Sequence, residues 1–362
     1  MEKLGEVLLI INSLSIGGAE RLVLDIAKSN PKKYDVLVLK DNPSFIKQSL
    51  VEANVNYKFL TSGSVYNPLL IFKLIKFLRS YNVVHIHLFP TLYWVVLAKI
   101  LSFSDVKLVL TEHNTHNRRR ENAFFKIIDR YIYKKLNFVI AISNGTENNL
   151  RKHLGLKNIN IKTITNGIDL NVFKFNNAQI DDLKIFNKED FVIVQVSSFT
   201  EQKDHKTLID SLDYLPENIK LILVGDGPLR FYYQSYVKEK NFTDRVKFLG
   251  IRKDIPSVLN YSKISILSSH FEGFGLVAVE AMAMGKPVVA SNVSGLSDVV
   301  SEAGLLFEPR NSKDLSNKIL ELYEDGEYYQ YVANRCLGRS KDYDILSMIE
   351  KYENVYSKLN ML

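Results

Sequence analysis

Residues 268–287 read Ser268-Ser269-His270-Phe271-Glu272-Gly273-Phe274-Gly275-Leu276-Val277-Ala278-Val279-Glu280-Ala281-Met282-Ala283-Met284-Gly285-Lys286-Pro287. A short apolar run, Ile264 to Ser268, ends there, a glycine loop comes next, and a helix begins near Leu276. Loop amides and the positive end of a helix, set together at the end of a strand, form an anion site suited to a diphosphate. Two carboxylates frame it. Glu280 lies early in the helix on an otherwise apolar stretch, where it can accept hydrogen bonds from two vicinal hydroxyls such as a ribose offers. Glu272 precedes the loop and is placed to hold sugar hydroxyls. Charge compensation at a helix start would account for Glu280 alone. It does not account for Glu272, two glycines and Glu280 in this order.

Outward from this segment, β-type runs alternate with helix-length stretches along the whole chain. In the first half the runs fall near Val7–Ile11, Asp35–Leu39, Val83–His87, Lys107–Thr111 and Phe138–Ile142; in the second near Phe191–Ser197, Lys220–Val224, Val246–Phe248, Ile264–Ser268 and Pro287–Ala290. Most are continuously apolar, as parallel strands covered on both faces must be. The alternation predicts an α/β architecture with right-handed crossovers. At 362 residues the chain is too long for one typical core and comfortable for two. The polar, Asn- and Asp-rich stretch from about Leu170 to Asp190 is the expected junction, giving two doubly wound halves. Ligands of such sheets bind at the carboxyl ends of the strands, and two facing sheets would enclose a cleft.

The loops leaving the other strands supply the remaining candidates. Gly17-Gly18, in Ser15-Ile16-Gly17-Gly18-Ala19-Glu20-Arg21, can bring backbone N–H groups to a phosphate at a helix start, and a tight turn that merely needs glycine fits as well. His113, in Thr111-Glu112-His113-Asn114-Thr115-His116, is placed to bond a sugar hydroxyl or to transfer a proton; a histidine satisfied by backbone is the plain alternative. His85 and His87 alternate with Val84, Ile86 and Leu88 in a buried-type strand and read as structural. Lys203, past the strand ending at Ser197, can pair with a diphosphate, though a solvated lysine fits the same window. Gly225-Asp226-Gly227-Pro228 ends another strand and reads as a turn that shapes the wall by close backbone approach. The single cysteine, Cys336, excludes a disulfide framework and suggests a reducing compartment, and it builds no zinc site with the histidines.

The net charge of +7 is unevenly spread. Residues 1–170 carry 24 Lys and Arg against 13 Asp and Glu, a net of +11; the remainder carries 23 against 27, a net of −4. Two halves of opposite sign suggest two tasks. Arg118-Arg119-Arg120 is followed by Phe124, Phe125, Lys126, Arg130, Tyr131, Tyr133, Lys134 and Lys135, and a second basic-apolar stretch runs Phe72-Lys73-Leu74-Ile75-Lys76-Phe77-Leu78-Arg79. These suit an anionic membrane surface; amphipathic helices with solvated basic faces are the plain alternative. No nucleic-acid module is recognisable. The N-terminal stretch, with two acids and no small-residue cleavage site, does not read as a signal peptide. The expected location is the cytoplasm, peripherally on the inner face of the plasma membrane.

Glu272 through Glu280 resembles the E-x7-E signature of the family 4 retaining glycosyltransferases, the glycosyl transferases group 1. Gly17-Gly18-Ala19-Glu20-Arg21, the Val83–His87 strand, Glu112-His113, Asn166-Gly167-Ile168-Asp169, Lys203 and Gly225-Asp226-Gly227-Pro228 match in order, so the resemblance spans nearly the whole chain. It implies the GT-B fold: an acceptor-binding Rossmann-like domain over 1–170, a nucleotide-sugar-binding one over 171–342, the two facing a central cleft, and a terminal helix over 343–362 crossing back. It further implies that Lys203 holds the diphosphate, Glu280 the ribose, and Glu272 the donor sugar. The Gly273-Phe274-Gly275-Leu276 amides would hold the pyrophosphate and sugar, Gly17 and Gly18 would meet the donor from the other domain, and His113 would be the acceptor-side histidine, so that His113, Glu272 and Lys203 are the catalytic candidates. No cofactor and no metal is implied; Asp342-Tyr343-Asp344 reads as a chance D-x-D. The donor implied is a UDP-sugar first and a GDP-sugar second, the acceptor a saccharide or a polyprenyl-diphosphate-linked saccharide of bacterial surface polysaccharide. Departures from the pattern are Ser198 where an Arg is usual, with Arg252 or Lys253 as replacement cations, Asn82 for Asp, and the shorter Asp298 for Glu. A sugar-nucleotide epimerase of related fold and a non-catalytic nucleotide-sugar binder are the alternatives; the first needs further acid/base groups that the sequence does not display, and the second is opposed by the intact Glu272, Glu280, Lys203 and His113.

Overall fold

Parallel strands buried on both faces dominate the protein, as the apolar runs require. The structure is a computed structural model, describing residues 5–15, 17–42, 45–114, 118–156, 158–174 and 185–361. The chain divides into two compact units, Met1–Gly167 with Ile345–Leu362, and Ile168–Asp344. Part of the junction stretch expected from sequence, residues 175–184, lies outside the described residues.

The first unit contains β1 (Val7–Ile11), α1 (Gly18–Ser29), β2 (Tyr34–Lys40), α2 (Phe45–Glu52), β3 (Tyr57–Thr61), α3 (Leu70–Leu78), β4 (Val83–His87), α4 (Thr91–Ser102), β5 (Lys107–Glu112), α5 (Ala123–Tyr133), β6 (Phe138–Ala141), α6 (Asn144–Leu154) and β7 (Ile161–Thr163). Its described strands form one sheet in the order β3-β2-β1-β4-β5-β6-β7, paired in parallel throughout. Successive residues of a strand point to opposite faces. Val7, Leu9 and Ile11 accordingly enter one core with Leu22, Val23 and Ile26 of α1, while Leu8 and Ile10 enter the other with Leu74 of α3 and Val95 and Val96 of α4. Local signals agree with the element ends: Ser143 accepts from the amide of Thr146 at the start of α6, and Gly155 ends that helix in the left-handed region.

The second unit contains α7 (Leu170–Lys174), β8 (Phe191–Val196), α8 (His205–Ser211), β9 (Ile219–Val224), α9 (Arg230–Glu239), β10 (Val246–Gly250), α10 (Ile255–Tyr261), β11 (Ile264–Leu267), α11 (Leu276–Ala283), β12 (Val288–Ser291), α12 (Leu296–Val300), β13 (Leu305–Phe307), α13 (Ser312–Glu324) and α14 (Gly326–Ser340). Its described strands form a second parallel sheet, ordered β10-β9-β8-β11-β12-β13. The helix α11 is apolar around most of its circumference because it is buried, with Ala278, Val279, Ala281 and Met282 fully covered.

The last helix, α15 (Ile345–Asn360), belongs to the first unit. Ile345, Met348, Ile349, Tyr352, Val355, Tyr356 and Leu359 recur at helical spacing and all join the core that holds Val7, Leu9 and Ile11. Tyr343, expected to open this helix, sits instead in a 3-10 turn, Lys341–Tyr343, with its ring 5.3 Å from that of Phe274. Three strands escape the sequence patterns, namely β3, β7 and β13. All lie at sheet edges, two are three residues long, and β3 is only half-buried along its length, so none needs a continuous apolar run. Among the described residues no helix is long and apolar enough to cross a membrane.

Candidate functional site

Each sheet is wound in both directions from a central pair of strands, β1 and β4 in the first unit, β8 and β11 in the second. At such a switch point the loops leaving the two strands diverge and leave a crevice at the carboxyl edge, the usual ligand site of an open α/β sheet.

In the second unit the two loops are Ser197–Asp204 and Ser268–Gly275. Gln195, the one polar residue in the β8 run, holds them together. Its Nε2 donates to the Lys203 carbonyl at 3.0 Å and to Ser197 Oγ at 3.2 Å, and its Oε1 accepts from Ser268 Oγ at 2.8 Å and from the Ser268 amide at 3.2 Å. Ser268 Oγ also reaches the carbonyls of Lys203 and Asp204, both at 3.0 Å. Farther out, Gln202 Nε2 donates to the Phe271 carbonyl at 2.9 Å and the His270 amide to the Gln202 carbonyl at 2.8 Å. Asp204 caps α8, accepting from the Thr207 hydroxyl at 2.6 Å. Across this braced crevice the Lys203 ammonium forms an ion pair with Glu272 Oε2, which also accepts from Ser269 Oγ at 3.1 Å.

The loop then enters α11 through Gly275, whose φ of +88° lies in the left-handed region and whose missing Cβ would stand 2.5 Å from Leu296 Cδ2. The φ favours glycine there, and a Cβ would in addition displace the Leu296 side chain. Phe274 is buried, whereas Gly273, Leu276 and Glu280 are half-buried. Leu276 and Glu280, four residues apart, share one face of α11. Gly225, with φ +132°, packs its backbone against the Ser197 carbonyl so closely that no side chain fits, and the Phe199 amide donates to the Asp226 carbonyl at 3.0 Å. The Gly225–Gly227 turn thus shapes the wall by backbone approach, as expected.

In the first unit an amide side chain does the same bracing. Asn12, just past β1, donates to the Phe89 carbonyl at 2.6 Å and accepts from the Thr91 amide and hydroxyl beyond β4. Gly17 and Gly18 are exposed at the start of α1, and the Glu20 carboxylate lies against Gly17; burial raises the pKa of Glu20 against its own backbone hydrogen bond. His113 comes after β5, half-buried, with Nε2 3.0 Å from Nδ1 of His87 at the end of β4. His85 is structural as expected, bonded to Tyr356 OH and Thr111 Oγ1, both at 2.7 Å. His87 is fully buried, as expected for that strand, and is the residue that touches the candidate His113.

Beside His113, burial pushes the Glu112 carboxyl up, but Arg120, the Tyr133 hydroxyl and the Asn114 amide together bring it below the usual range. Arg120 Nη2 lies 2.6 Å and Tyr133 OH 2.7 Å from Glu112 Oε2. This corrects the reading of Arg120 as part of a basic cluster presented to an anionic membrane surface. Arg120 turns inward to a buried carboxylate, and the side chains of Arg118 and Arg119 lie outside the described residues. Arg252, a suggested substitute for the cation missing at Ser198, is held in a two-point ion pair by Asp254, at 2.8 and 2.6 Å.

The structure therefore brings Lys203 and Glu272 together beside the 273–276 loop, with Glu280 one turn into the helix that this loop opens, and places Gly17, Gly18 and His113 along the carboxyl edge of the other sheet. Gln195 was not singled out in the sequence. Its signal was a lone amide in the apolar run Phe191-Val192-Ile193-Val194-Gln195-Val196.

Two parallel Rossmann-like sheets and an E-x7-E crevice define a glycosyltransferase of GT-B fold. Residues 16–172 match the family described as Glycosyltransferase Family 4, and residues 177–336 the family described as Glycosyl transferases group 1. The chain belongs to these family 4 glycosyltransferases. It is 26% identical over 288 residues to the N-acetyl-alpha-D-glucosaminyl L-malate synthase of Bacillus anthracis, covering 77% of this chain and 75% of that one. It is 24% identical over 362 residues to the N-acetylgalactosamine-N,N'-diacetylbacillosaminyl-diphospho-undecaprenol 4-alpha-N-acetylgalactosaminyltransferase of Campylobacter jejuni, covering 95% and 96%. Among solved structures, Anabaena Alr3699/HepE in complex with UDP and glucose superposes with a TM-score of 0.88 at 25% identity, covering 98% of this chain and 99% of that one. The chain is thus a transferase acting on sugar donors, with relatives in lipid-linked and polysaccharide synthesis.

Proposed function

We propose that the protein is a retaining glycosyltransferase that moves a sugar from a nucleoside diphosphate, UDP before GDP, to a saccharide or lipid-linked saccharide of bacterial surface polysaccharide. The observation that carries this reading is the braced crevice of the second unit, where Lys203 meets Glu272 at the loop that leads into the helix of Glu280. UDP as first choice and the lipid-linked acceptor draw on the ligand of Alr3699/HepE and on the diphospho-undecaprenol relative.

In this scheme the donor diphosphate takes the place of Glu272 at the Lys203 ammonium. Lys203, the Gly273–Leu276 amides and the α11 N-terminus stabilise the charge that builds as the anomeric C–O bond breaks. Glu280 accepts from the ribose hydroxyls, and Glu272, released from Lys203, accepts from hydroxyls of the transferred sugar. The acceptor hydroxyl, bound by the first unit, attacks from the face of the leaving group and gives its proton to the departing phosphate oxygen, which preserves the anomeric configuration. No step calls on a metal, so activity is expected to persist in EDTA.

Membrane attachment through the first unit extends the proposal. Phe124, Ile127 and Tyr131 stand at 65%, 68% and 52% exposure along one face of α5, followed by the exposed Lys134 and Lys135. Apolar residues flanked by cations suit an anionic bilayer at the cytoplasmic face. Flotation with anionic liposomes at low and high salt tests this, using Lys134→Glu with Lys135→Glu and not Arg120. Binding indifferent to lipid charge would remove the membrane from the scheme.

The donor site is tested by Lys203→Ala and Glu280→Ala. A charge-assisted hydrogen bond is worth about 1.5–3 kcal/mol, so each should weaken donor affinity about tenfold or more in calorimetry. Wild-type nucleotide affinity in both variants would overturn the site.

A further inference from the structure

Between Nε2 of His113 and Nδ1 of His87, 3.0 Å apart, there is room for one hydrogen. Burial holds His87 well below the ordinary histidine pKa, with His85 and His113 adding to the effect, and burial takes His113 to about 4. Both rings are therefore neutral near pH 7, and each carries one proton. His87 is fully buried, and among the described residues its other nitrogen, Nε2, has no hydrogen-bond partner. His85 cannot supply one: its two nitrogens are taken by Tyr356 and Thr111, and its ring is tilted 38° against that of His87 with centroids 4.3 Å apart.

Two proton arrangements satisfy the contact. If His113 donates, His87 carries its own hydrogen on Nε2, a buried N–H facing no acceptor. If His87 donates, its unpartnered atom is a bare lone pair, and His113 carries its hydrogen on Nδ1. In protein backbones an orphaned buried N–H is rarer than an under-satisfied acceptor; carried over to the ring, the same preference favours the second arrangement. Among the described residues no hydrogen bond reaches Nδ1 of His113, which is left for a ligand.

We infer that His87 is a positioning residue that locks His113 in the Nδ1–H tautomer, so that His113 meets a sugar hydroxyl as a hydrogen-bond donor and not as a proton-accepting base. This rests on the reading of His113 as substrate-facing. It assigns His113 to recognition of a hydroxyl oxygen and leaves the acceptor proton to the departing phosphate.

The test is nitrogen NMR of the full chain labelled with 15N-histidine, at pH 7.5 without substrate, the His113 signals being assigned by difference with His113→Asn. The expected result is a protonated Nδ1 and an unprotonated Nε2 on His113. His87→Asn, whose amide can donate from about the position of Nδ1, keeps that pattern. His87→Leu loses it and lowers kcat/KM for the acceptor about fivefold, the size of one lost neutral hydrogen bond, with His87→Asn restoring most of the loss. A protonated Nε2 on His113 in the wild type overturns the lock. A locked tautomer combined with full activity in both His87→Leu and His113→Asn overturns the substrate-facing role instead.

Discussion

Replacing Gln195 by leucine tests whether the crevice is held open by the strand beneath it. The side chain is 1% exposed, close in volume to leucine, and makes four hydrogen bonds that join the β8 and β11 loops. Their loss is unequal. The Lys203 carbonyl keeps Ser268 Oγ, Ser197 Oγ keeps His205, and Ser268 Oγ keeps two carbonyls. The Ser268 amide, however, loses its acceptor at depth. One orphaned buried amide costs about 1–3 kcal/mol, and each of the other bonds contributes about 0.5–1.5 kcal/mol net. The leucine recovers part of this through apolar burial, leaving a destabilisation of about 2–3 kcal/mol. For a unit of this size that corresponds to a fall in Tm of roughly 4–12 °C. Because the bonds fix the backbone at Lys203, UDP affinity should fall as well, although Gln195 itself is expected to touch no ligand. Urea unfolding and titration calorimetry with UDP measure the two effects. Stability within about 0.5 kcal/mol of wild type, the range of a neutral surface change, would refute the bracing role.

Gly275→Ala should cost about 1–2 kcal/mol from the left-handed φ alone, with the clash on Leu296 added, and should lower Tm and donor affinity together; a Tm unchanged from wild type contradicts it. Arg120→Met leaves the buried Glu112 carboxylate without its cation and should destabilise the first unit by about 3 kcal/mol, whereas a loss below about 1 kcal/mol in urea unfolding would mean that the pair is solvated. Acid should weaken the fold early. Burial, with a lesser contribution from His113, lowers His85 to about 3, and burial lowers His113 to about 4, both from 6.5. The unfolded chain therefore takes up protons that the folded one refuses. The stability these groups contribute is complete above pH 6.5 and lost on acidification, over 6.5 to about 4 for His113 and 6.5 to about 3 for His85, with His85 giving a slope near 1.4 kcal/mol per pH unit. A stability curve flat between about pH 7 and pH 5 would rule this out.

The sheets were legible in the sequence because their central strands are buried on both faces and written as unbroken apolar runs. The edge strands β3, β7 and β13 carry no such constraint and gave no such pattern. The crevice was legible for a similar reason. A strand end, a glycine that must adopt a positive φ and a helix start are local events, all contained in residues 268–280. What escaped were pairings of side chains that only the folded backbone brings together. Nothing in Arg118-Arg119-Arg120 tells which arginine turns inward, since Glu112 and Arg120 meet only because a 3-10 turn, Arg118–Glu121, folds back over Tyr133. His87 looked like its neighbour His85, and only the register of β4 on β5, with His87 opposite Thr111 two residues before His113, separates a structural ring from one that orients the site.

The placement of α15 has a consequence for the order in which the protein can be made. The first sheet is composed before residue 168, but the helix that covers Leu9, Val36 and Tyr34 begins at Ile345. Until the ribosome has delivered that helix, one face of the nascent sheet, packed by α1 and α2, lacks the rest of its cover, while Ile168–Asp344 emerges as an uninterrupted segment able to close its own core. Synthesis thus completes the inner insert before the outer body, and in the interval the earlier half must rely on chaperones or on transient local packing to stay out of aggregates. A ribosome stalled just short of Ile345 would display a finished second unit and a first unit still open beside α1 and β4.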